Sequence, residues 1–180
     1  MRFSTTKIHG VWLIEPDFHK DSRGHFFRAW CAEEFAQHGI TFNPVQSNIG
    51  FNLLKGTLRG MHYQVEPALE AKLVRCTRGA IFDVALDIRS ESATYGQWVG
   101  DELTAENGRM LLIPEGCAHG YQALEDRTEM QYMASHAFAP REARGARFDD
   151  PAFGILWPLV PSVISSQDSS WPLQKESGKN

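Results

Sequence analysis

The clearest pattern along the chain is an alternation of apolar and polar residues over 79–89. Val84 and Leu86 share one face of this segment with their apolar neighbours, and Asp83 and Asp87 share the other. A period of two residues is typical of a β-strand. The pattern therefore predicts a strand with an apolar face and a charged face.

Turn signals and further periodic segments extend this prediction. The preceding segment 72–76 joins the strand through residues 77–79, which predicts a hairpin with Gly79 at a positive φ. Residues 108–113 and 128–135 are further candidate strands. Many short strands with few helices are typical of a sandwich or barrel, and a jelly roll is one standard arrangement.

Only one segment has a clear helical pattern. Residues 31–38 (CAEEFAQH) predict a short helix that ends at Gly39, and a second short turn is expected after Leu103. The predicted fold class is therefore mainly β, with one or two short helices. We expect one domain over residues 1–180, with a mobile polar tail over 174–180.

Composition and charge narrow the class of protein. A chain of 180 residues can bury roughly 70% of its unfolded surface in a single core. The net charge of -4 does not favour nucleic acid, which usually binds a basic face. The three cysteines are far apart, and the sequence contains neither a signal peptide nor a long apolar run. We expect a cytoplasmic protein with no membrane partner and no disulfide framework.

The first candidate for chemistry is His62, within Leu58–Gln64 (LRGMHYQ). A histidine of this kind is often structural, but it can also be a general base. Strict alternation would place Arg59 and His62 on opposite faces, so a shared pocket requires a β-bulge near Gly60. The sequence thus leaves both interpretations of His62 open.

Lys72, ten residues further on, is the second candidate. A lysine at the start of a strand is usually solvated, but an ammonium near a forming enolate would stabilise its charge. A histidine base beside a lysine, with arginines that bind an anion, suits removal of a proton next to a carbonyl on a phosphorylated substrate.

Three other side chains have both a structural and a functional interpretation. His119, in PEGCAH, is a metal ligand, an anion donor or a turn-capping residue. Tyr132 is a packing residue or a proton donor. Asp168 is a turn residue or a carboxylate that orients His62.

The order of these motifs resembles the dTDP-4-dehydrorhamnose 3,5-epimerase family over about residues 8–173. The blocks that carry the resemblance are Asp21–Gly24, Gln46–Asn48, Leu58–Gln64, Lys72–Arg89, Ser92–Trp98, Pro114–Tyr121, Tyr132, Asp149–Pro151 and Ile155–Pro158. So many blocks in the same order are far more specific than any single motif. The resemblance implies a cupin-type jelly roll that forms a homodimer. It also implies an enzyme that needs no metal or cofactor and acts on a nucleotide diphosphate 4-keto-6-deoxy sugar.

The resemblance also implies a role for each matching residue. His62 would remove the proton beside the C4 ketone, with Asp168 as its partner. Lys72 would stabilise the enolate oxygen, and Tyr132 would deliver a proton to the opposite face. The residues expected to hold the nucleotide and diphosphate are Arg23, Gln46, Asn48, Arg59 and His119.

Several substrate-holding positions depart from the family pattern. Arg28 stands where a glutamate is common, Phe138 where a tyrosine lines the sugar pocket, Ala143 where there is a glutamate, and Gln167 where there is a lysine. The segment 46–59 is also one residue longer. The resemblance therefore defines the reaction class, which is epimerisation of a sugar beside its ketone. It defines less well which nucleotide and sugar are bound, and whether C3 alone or both C3 and C5 are epimerised.

Two other classes of protein compete with a metal-free epimerase. A metal-dependent cupin oxygenase or isomerase would need three or four converging nitrogen and oxygen ligands, and the sequence offers only His62 and His119 at the matching places. A non-catalytic sugar-binding or assembly cupin would have no need of a tyrosine opposite a histidine. Metal analysis and deuterium exchange into a substrate distinguish these classes.

Overall fold

A computed structural model describes residues 1–174, which form thirteen short strands and two short helices. The strands are β1 Arg2–Thr5, β2 Trp12–Glu15, β3 His19–Asp21, β4 Gly24–Phe26, β5 Gln46–Asn52, β6 Leu58–Gln64, β7 Lys72–Arg78, β8 Ala80–Asp87, β9 Trp98–Thr104, β10 Met110–Ile113, β11 Cys117–Ala123, β12 Thr128–Ala134 and β13 Ala143–Gly145. The helices are α1 Ala32–Gln37 and α2 Ser166–Ser170. The prediction of a mainly β fold is confirmed.

The strands form two large antiparallel sheets that pack face to face. One sheet has the order β1-β2-β10-β7-β12-β5 and the other β13-β6-β11-β8-β9, while β3 and β4 make a separate hairpin. Val74 and Met130 of the first sheet pack with Ile81 and Ala85 of the second in one buried cluster. The shared core holds the sheets together as a sandwich.

Strand β8 has the predicted alternation, but neither of its faces is in solvent. Ile81 lies on the inner face in the core between the sheets, and Asp83 on the same face is 0% exposed. On the outer face, Val84 and Leu86 pack against Ile155 from the segment after β13. The charged face is therefore buried, and its carboxylates need partners inside the protein.

The predicted hairpin at Gly79 is wrong. Gly79 has the expected positive φ of 73°, but β7 pairs with β10 and β12, whereas β8 pairs with β9 and β11. The chain therefore crosses from one sheet to the other at this glycine. The crossing lets Val74 of β7 and Ile81 of β8 reach the same core from opposite sides.

The first helix agrees with its prediction, and the second lies elsewhere. Helix α1 is followed by Gly39 with φ 72°, whose amide donates to the Ala36 carbonyl at 2.9 Å. The chain makes a turn over 105–107 after Leu103. The second helix is α2, where the Asp168 amide donates to Ser165 Oγ at 3.0 Å.

Residues 175–180 of the predicted mobile tail lie outside the described residues. Gln174, the first residue of that tail, is held in place, because its amide donates to Asp150 Oδ2 at 2.5 Å. Within residues 1–174, no helix is long and apolar enough to cross a membrane.

A β-bulge in β6 sets the direction of the candidate site residues. His62 lies opposite His119 and Arg59 lies opposite Tyr121, so four residues of β6 span three residues of β11. Gly60, inside the bulge, has φ 127°. The bulge that a shared pocket for Arg59 and His62 requires is therefore present, and both residues line the same cavity.

Gly60→Ala should destabilise the protein by about 2–4 kcal/mol, because it combines backbone strain with a collision. A Cβ at Gly60 would lie 2.5 Å from Gly120 Cα. Gly24→Ala is the matched control: its φ of 126° is nearly the same, but no atom lies within 4 Å of the added Cβ. Urea unfolding measures both variants, and equal losses of stability would contradict the close approach of β6 and β11.

Candidate active site

The predicted site residues meet in a cavity of about 510 Å³ between the two sheets. Eight of the ten predicted residues line it: Gln46, Asn48, Arg59, His62, Lys72, His119, Tyr132 and Phe138. A larger groove of about 980 Å³ beside the end of α1 is lined by none of them. Because the predicted titratable and cationic side chains line the smaller cavity, this cavity is the candidate active site.

Asp168 lies directly behind His62. His62 Nε2 is 2.6 Å from Asp168 Oδ1, and the Gly60 amide donates to Asp168 Oδ2 at 3.2 Å. Asp168 is 4% exposed, while the His62 side chain is 46% exposed. The carboxylate is thus held by one side chain and one backbone amide of β6, and the ring that it holds is open to the cavity.

Burial by itself would raise the pKa of the Asp168 carboxyl. The hydrogen bond and charge of His62, with the Gly60 amide and Ser165, outweigh burial, and the net pKa lies below the usual 3.8. Asp168 is therefore ionised at neutral pH and accepts the Nε2–H of His62. The neutral ring then has its lone pair on Nδ1, which is the nitrogen available as a base.

Lys72 is nearly buried and has two partners. Its Nζ donates to the His62 carbonyl at 3.4 Å and lies 2.9 Å from Glu70 Oε1. The side chains of Lys72 and Glu70 are 8% and 10% exposed. Glu70 was not identified as a site residue from the sequence. Its position two residues before Lys72 is a signal that could have found it, since such neighbours share one side of an extended chain.

Tyr132 faces the same cavity from the sheet opposite His62. It lies on β12 of the six-stranded sheet, while His62 lies on β6 of the five-stranded sheet. Burial and the charge of Glu70 raise the pKa of Tyr132, and Asn48 opposes them. The phenol is therefore protonated at neutral pH and is available as an acid.

His119 forms a second histidine–aspartate pair. Its Nε2 is 2.7 Å from Oδ1 of Asp83, a residue on β8 that the sequence pattern placed only on a polar strand face. Asp83 Oδ2 is buried and lacks a hydrogen-bond partner within residues 1–174. Burial raises the pKa of Asp83, although His119 and Lys72 oppose the rise.

Three of the predicted binding residues that line the cavity, Gln46, Asn48 and Phe138, contact one another. Gln46 Nε2 donates to Asn48 Oδ1 at 3.1 Å, and the Phe138 amide donates to Gln46 Oε1 at 3.0 Å. Arg59 Nε donates to Asn52 Oδ1 at 3.0 Å. The Phe138 residue is 62% exposed, so an apolar ring without a hydroxyl stands at the opening.

Arg23 lies apart from the other predicted binding residues. It is not among the side chains that line the cavity, and it forms an exposed ion pair with Asp21 in the β3–β4 hairpin. Ala143 and Gln167, two of the departures from the family pattern, do line the cavity. Arg28 lies outside it and pairs with Glu34 Oε1 at 2.7 Å.

No group of three or more His, Cys, Asp or Glu side chains within residues 1–174 is arranged to hold a metal ion. The two histidines that a metal cupin would use each have one ring nitrogen on a carboxylate: His62 on Asp168 and His119 on Asp83. Metal independence itself stays a prediction.

Comparison with known proteins identifies the family. The family model for dTDP-4-dehydrorhamnose 3,5-epimerase matches residues 5–176. A dTDP-4-dehydrorhamnose 3,5-epimerase from Sinorhizobium fredii is 43% identical over 173 residues, which cover 96% of this chain and 89% of the relative. The chain therefore belongs to the dTDP-4-dehydrorhamnose 3,5-epimerase family, as the sequence resemblance predicted.

Solved structures agree in fold and include two reaction types. The dTDP-6-deoxy-D-glucose-3,5-epimerase of Legionella pneumophila, in complex with dTDP-4-keto-L-rhamnose, is 37% identical with a TM-score of 0.90 and covers 96% of this chain and 92% of its own. A 3′-monoepimerase from Streptomyces bikiniensis, in complex with dTDP-quinovose, is 32% identical with a TM-score of 0.88 and covers 93% and 85%. The cupin-type fold is confirmed.

Asp168→Asn should remove a part of the stability that depends on pH. Because the folded pKa of Asp168 is lowered, its contribution is present above the unfolded value of 3.8 and is lost as the pH falls through the lower folded value. The difference in unfolding free energy between wild type and variant should therefore shrink below about pH 4.

Urea unfolding from pH 6 to pH 2.5 measures this difference. Glu66→Gln is the control, because Glu66 is exposed. For this variant, the difference in unfolding free energy from the wild type should not change with pH. If the difference in unfolding free energy between wild type and Asp168→Asn instead grows as the pH falls, folding raises the Asp168 pKa. That result would contradict an ionised carboxylate behind His62.

Proposed function

We propose that this protein is an isomerase that epimerises a nucleotide diphosphate 4-keto-6-deoxy sugar at C3 and C5, in the manner of a dTDP-4-dehydrorhamnose 3,5-epimerase. Family membership over residues 5–176 supports this reaction, as does the complex of the Legionella relative with a dTDP-4-keto sugar. The observation that carries the proposal is the placement of a base and an acid on opposite sheets of one cavity, at His62 and Tyr132.

The proposed reaction is a proton transfer through an enolate. Nδ1 of His62 removes the proton from the carbon beside the C4 ketone. The electron pair of that C–H bond forms a C=C bond to C4, and the π pair of the ketone moves onto its oxygen. Lys72 stabilises the enolate oxygen, and Asp168 stabilises the imidazolium that forms. Tyr132 then gives its proton to the opposite face of the carbon, which inverts the centre and restores the ketone. The Tyr132 phenolate and the His62 imidazolium return to their starting forms by proton exchange with solvent. No redox step or cofactor is involved.

We propose that Gln46, Asn48, Arg59 and His119 bind the nucleotide and diphosphate. Their support is chemical: guanidinium, amide and imidazole N–H groups are donors for phosphate and base oxygens. Arg23 keeps the same predicted role, although it lies outside the cavity of its own chain.

We further propose a cytoplasmic homodimer with no nucleic acid or membrane partner. The support for the location is redox chemistry, since Cys31, Cys76 and Cys117 are all unpaired. The support for the dimer is a set of large apolar side chains that are exposed in the single chain. They include Phe26 at 71% and Ile49 at 67%.

Epimerisation at C3 alone is the second candidate function. The specific observation is Phe138, which stands at the cavity mouth without the hydroxyl of the family tyrosine. A similar structure is a 3′-monoepimerase, so the fold accommodates both outcomes. A metal-dependent cupin and a non-catalytic binding cupin lack such an observation.

His62→Ala should abolish deuterium exchange at every carbon, because no other group in the proposal removes the proton. We expect exchange from heavy water into a dTDP-4-keto-6-deoxy sugar to fall by about 10³-fold. Tyr132→Phe is the matched variant: His62 still exchanges the proton on its own face, but inversion should fall by about 10²-fold. NMR of the sugar protons measures exchange and inversion together, and circular dichroism checks that both variants are folded.

A folded His62→Ala variant that retains near-wild-type exchange would contradict the proposed base. A wild-type activity that is lost on exhaustive chelation and restored by a divalent ion would move the protein to the metal-dependent class. Binding without any exchange in the wild type would favour a non-catalytic cupin.

Phe138 should make C3 react faster than C5. The missing hydroxyl weakens control over protonation after enolisation, while His62 and Lys72 are retained for the first step. The C3-epimer should therefore accumulate early, and Phe138→Tyr should bring the two exchange rates closer together. Time-resolved NMR of the same reaction measures both carbons. Equal rates in the wild type, unchanged by Phe138→Tyr, would rule out this role.

A further inference from the structure

Glu70 is a carboxylate in the candidate active site to which the proposed reaction gives no task. It lies in the loop between β6 and β7, lines the cavity, and has a side chain that is only 10% exposed. Its Oε1 is 2.9 Å from Lys72 Nζ. A nearly buried carboxylate beside the enolate-stabilising cation requires an explanation, because burial of either charge without a partner is costly.

The geometry points to Glu70 as the positioning residue for Lys72. Glu70 fixes the ammonium so that one of its N–H groups stays free for the enolate oxygen. This inference rests on the proposed function. A lysine ammonium has three donors. Glu70 Oε1 lies 2.9 Å from Nζ in an ion pair, and the His62 carbonyl accepts one N–H at 3.4 Å. Within residues 1–174 the His62 carbonyl is the one hydrogen-bond acceptor of this ammonium, so an N–H is left for the enolate oxygen, and Lys72 lines the cavity.

The contact between Lys72 Nζ and the His62 carbonyl also links the two sheets. Lys72 belongs to the six-stranded sheet and His62 to the five-stranded sheet, so the ammonium bridges the two sheets beside the base. Glu70 therefore sets the position of the cation relative to His62 as well as relative to the substrate. Preorganised donors of this kind are effective because they need not reorient during the reaction.

Glu70 also acts on the proposed acid. Its negative charge is one of the causes that raise the pKa of Tyr132. The same carboxylate thus favours the protonated phenol that the second proton transfer requires. One side chain thus holds the cation in place and adds to the burial that raises the pKa of the acid.

Four variants test the proposal with the deuterium-exchange reaction: Glu70→Ala, Glu70→Gln, Lys72→Ala and the double variant Glu70→Ala with Lys72→Ala. Glu70→Ala should lower kcat by about 10²-fold with KM changed less than about threefold, since a donor loses its orientation in the transition state. Glu70→Gln keeps an oxygen acceptor and should recover most of that loss. Glu66→Ala, in the same loop and exposed, should leave both constants unchanged.

The double variant separates positioning from a structural role. If Glu70 acts through Lys72, kcat of the double variant should be less than about threefold below kcat of Lys72→Ala alone. An equal loss in both backgrounds, or a Glu70→Ala variant with wild-type kcat, would overturn the proposal.

Lysine-selective ¹⁵N NMR tests the contact without activity. The Lys72 ammonium signal, assigned with Lys72→Arg, should show slow proton exchange in the wild type and in Glu70→Gln, and fast exchange in Glu70→Ala. If the wild type shows no deuterium exchange into the sugar, the proposed function fails while this measurement still tests the contact. A fast-exchanging signal in the wild type would overturn the proposal even where the enzyme is active.

Discussion

The close approach of β6 and β11 at Gly60 and Gly120 is the constraint on which the candidate site depends. The two backbones are so near that a Cβ on Gly60 would lie 2.5 Å from Gly120 Cα. The bulge at this point brings Arg59 and His62 to one cavity. It also presents the Gly60 amide to Asp168. One local feature of a strand thus sets the direction of His62 and anchors its partner Asp168.

The titratable groups around the cavity are arranged in pairs, each with a nearly buried acid. The three pairs are His62 with Asp168 at 2.6 Å, Lys72 with Glu70 at 2.9 Å and His119 with Asp83 at 2.7 Å. Placing a carboxyl group in the interior contributes little net stability even when it has a partner, because desolvation offsets the attraction. The concentration of these pairs around one cavity is better explained by chemistry, since shifted and paired titratable groups are typical of active sites. The sandwich contributes the remaining requirement, which is the placement of the proposed base, His62, and the proposed acid, Tyr132, on facing sheets.

Local features of the fold could be predicted from the sequence, whereas contacts between distant segments could not. The bulge at Gly60 followed from the need to bring two neighbouring side chains together, and α1 followed from its apolar spacing and terminal glycine. The crossing at Gly79 was missed because a turn glycine has the same positive φ whether the strands pair or separate. Asp83 was missed because alternation gives the face of a strand but not what covers that face. Glu70 was missed because it lies in the loop before β7, where its position two residues before Lys72 is the one signal that marks it.

The most direct test of a base and an acid on facing sheets is a crystal structure of the protein with a dTDP-linked 6-deoxy sugar that lacks the C4 ketone and cannot react. We expect the sugar ring to lie between His62 and Tyr132, with these side chains on opposite faces of the ring. The oxygen on C4 should lie within hydrogen-bond distance of Lys72 Nζ. A sugar bound outside this cavity, or one with His62 and Tyr132 on the same face, would contradict the proposed mechanism.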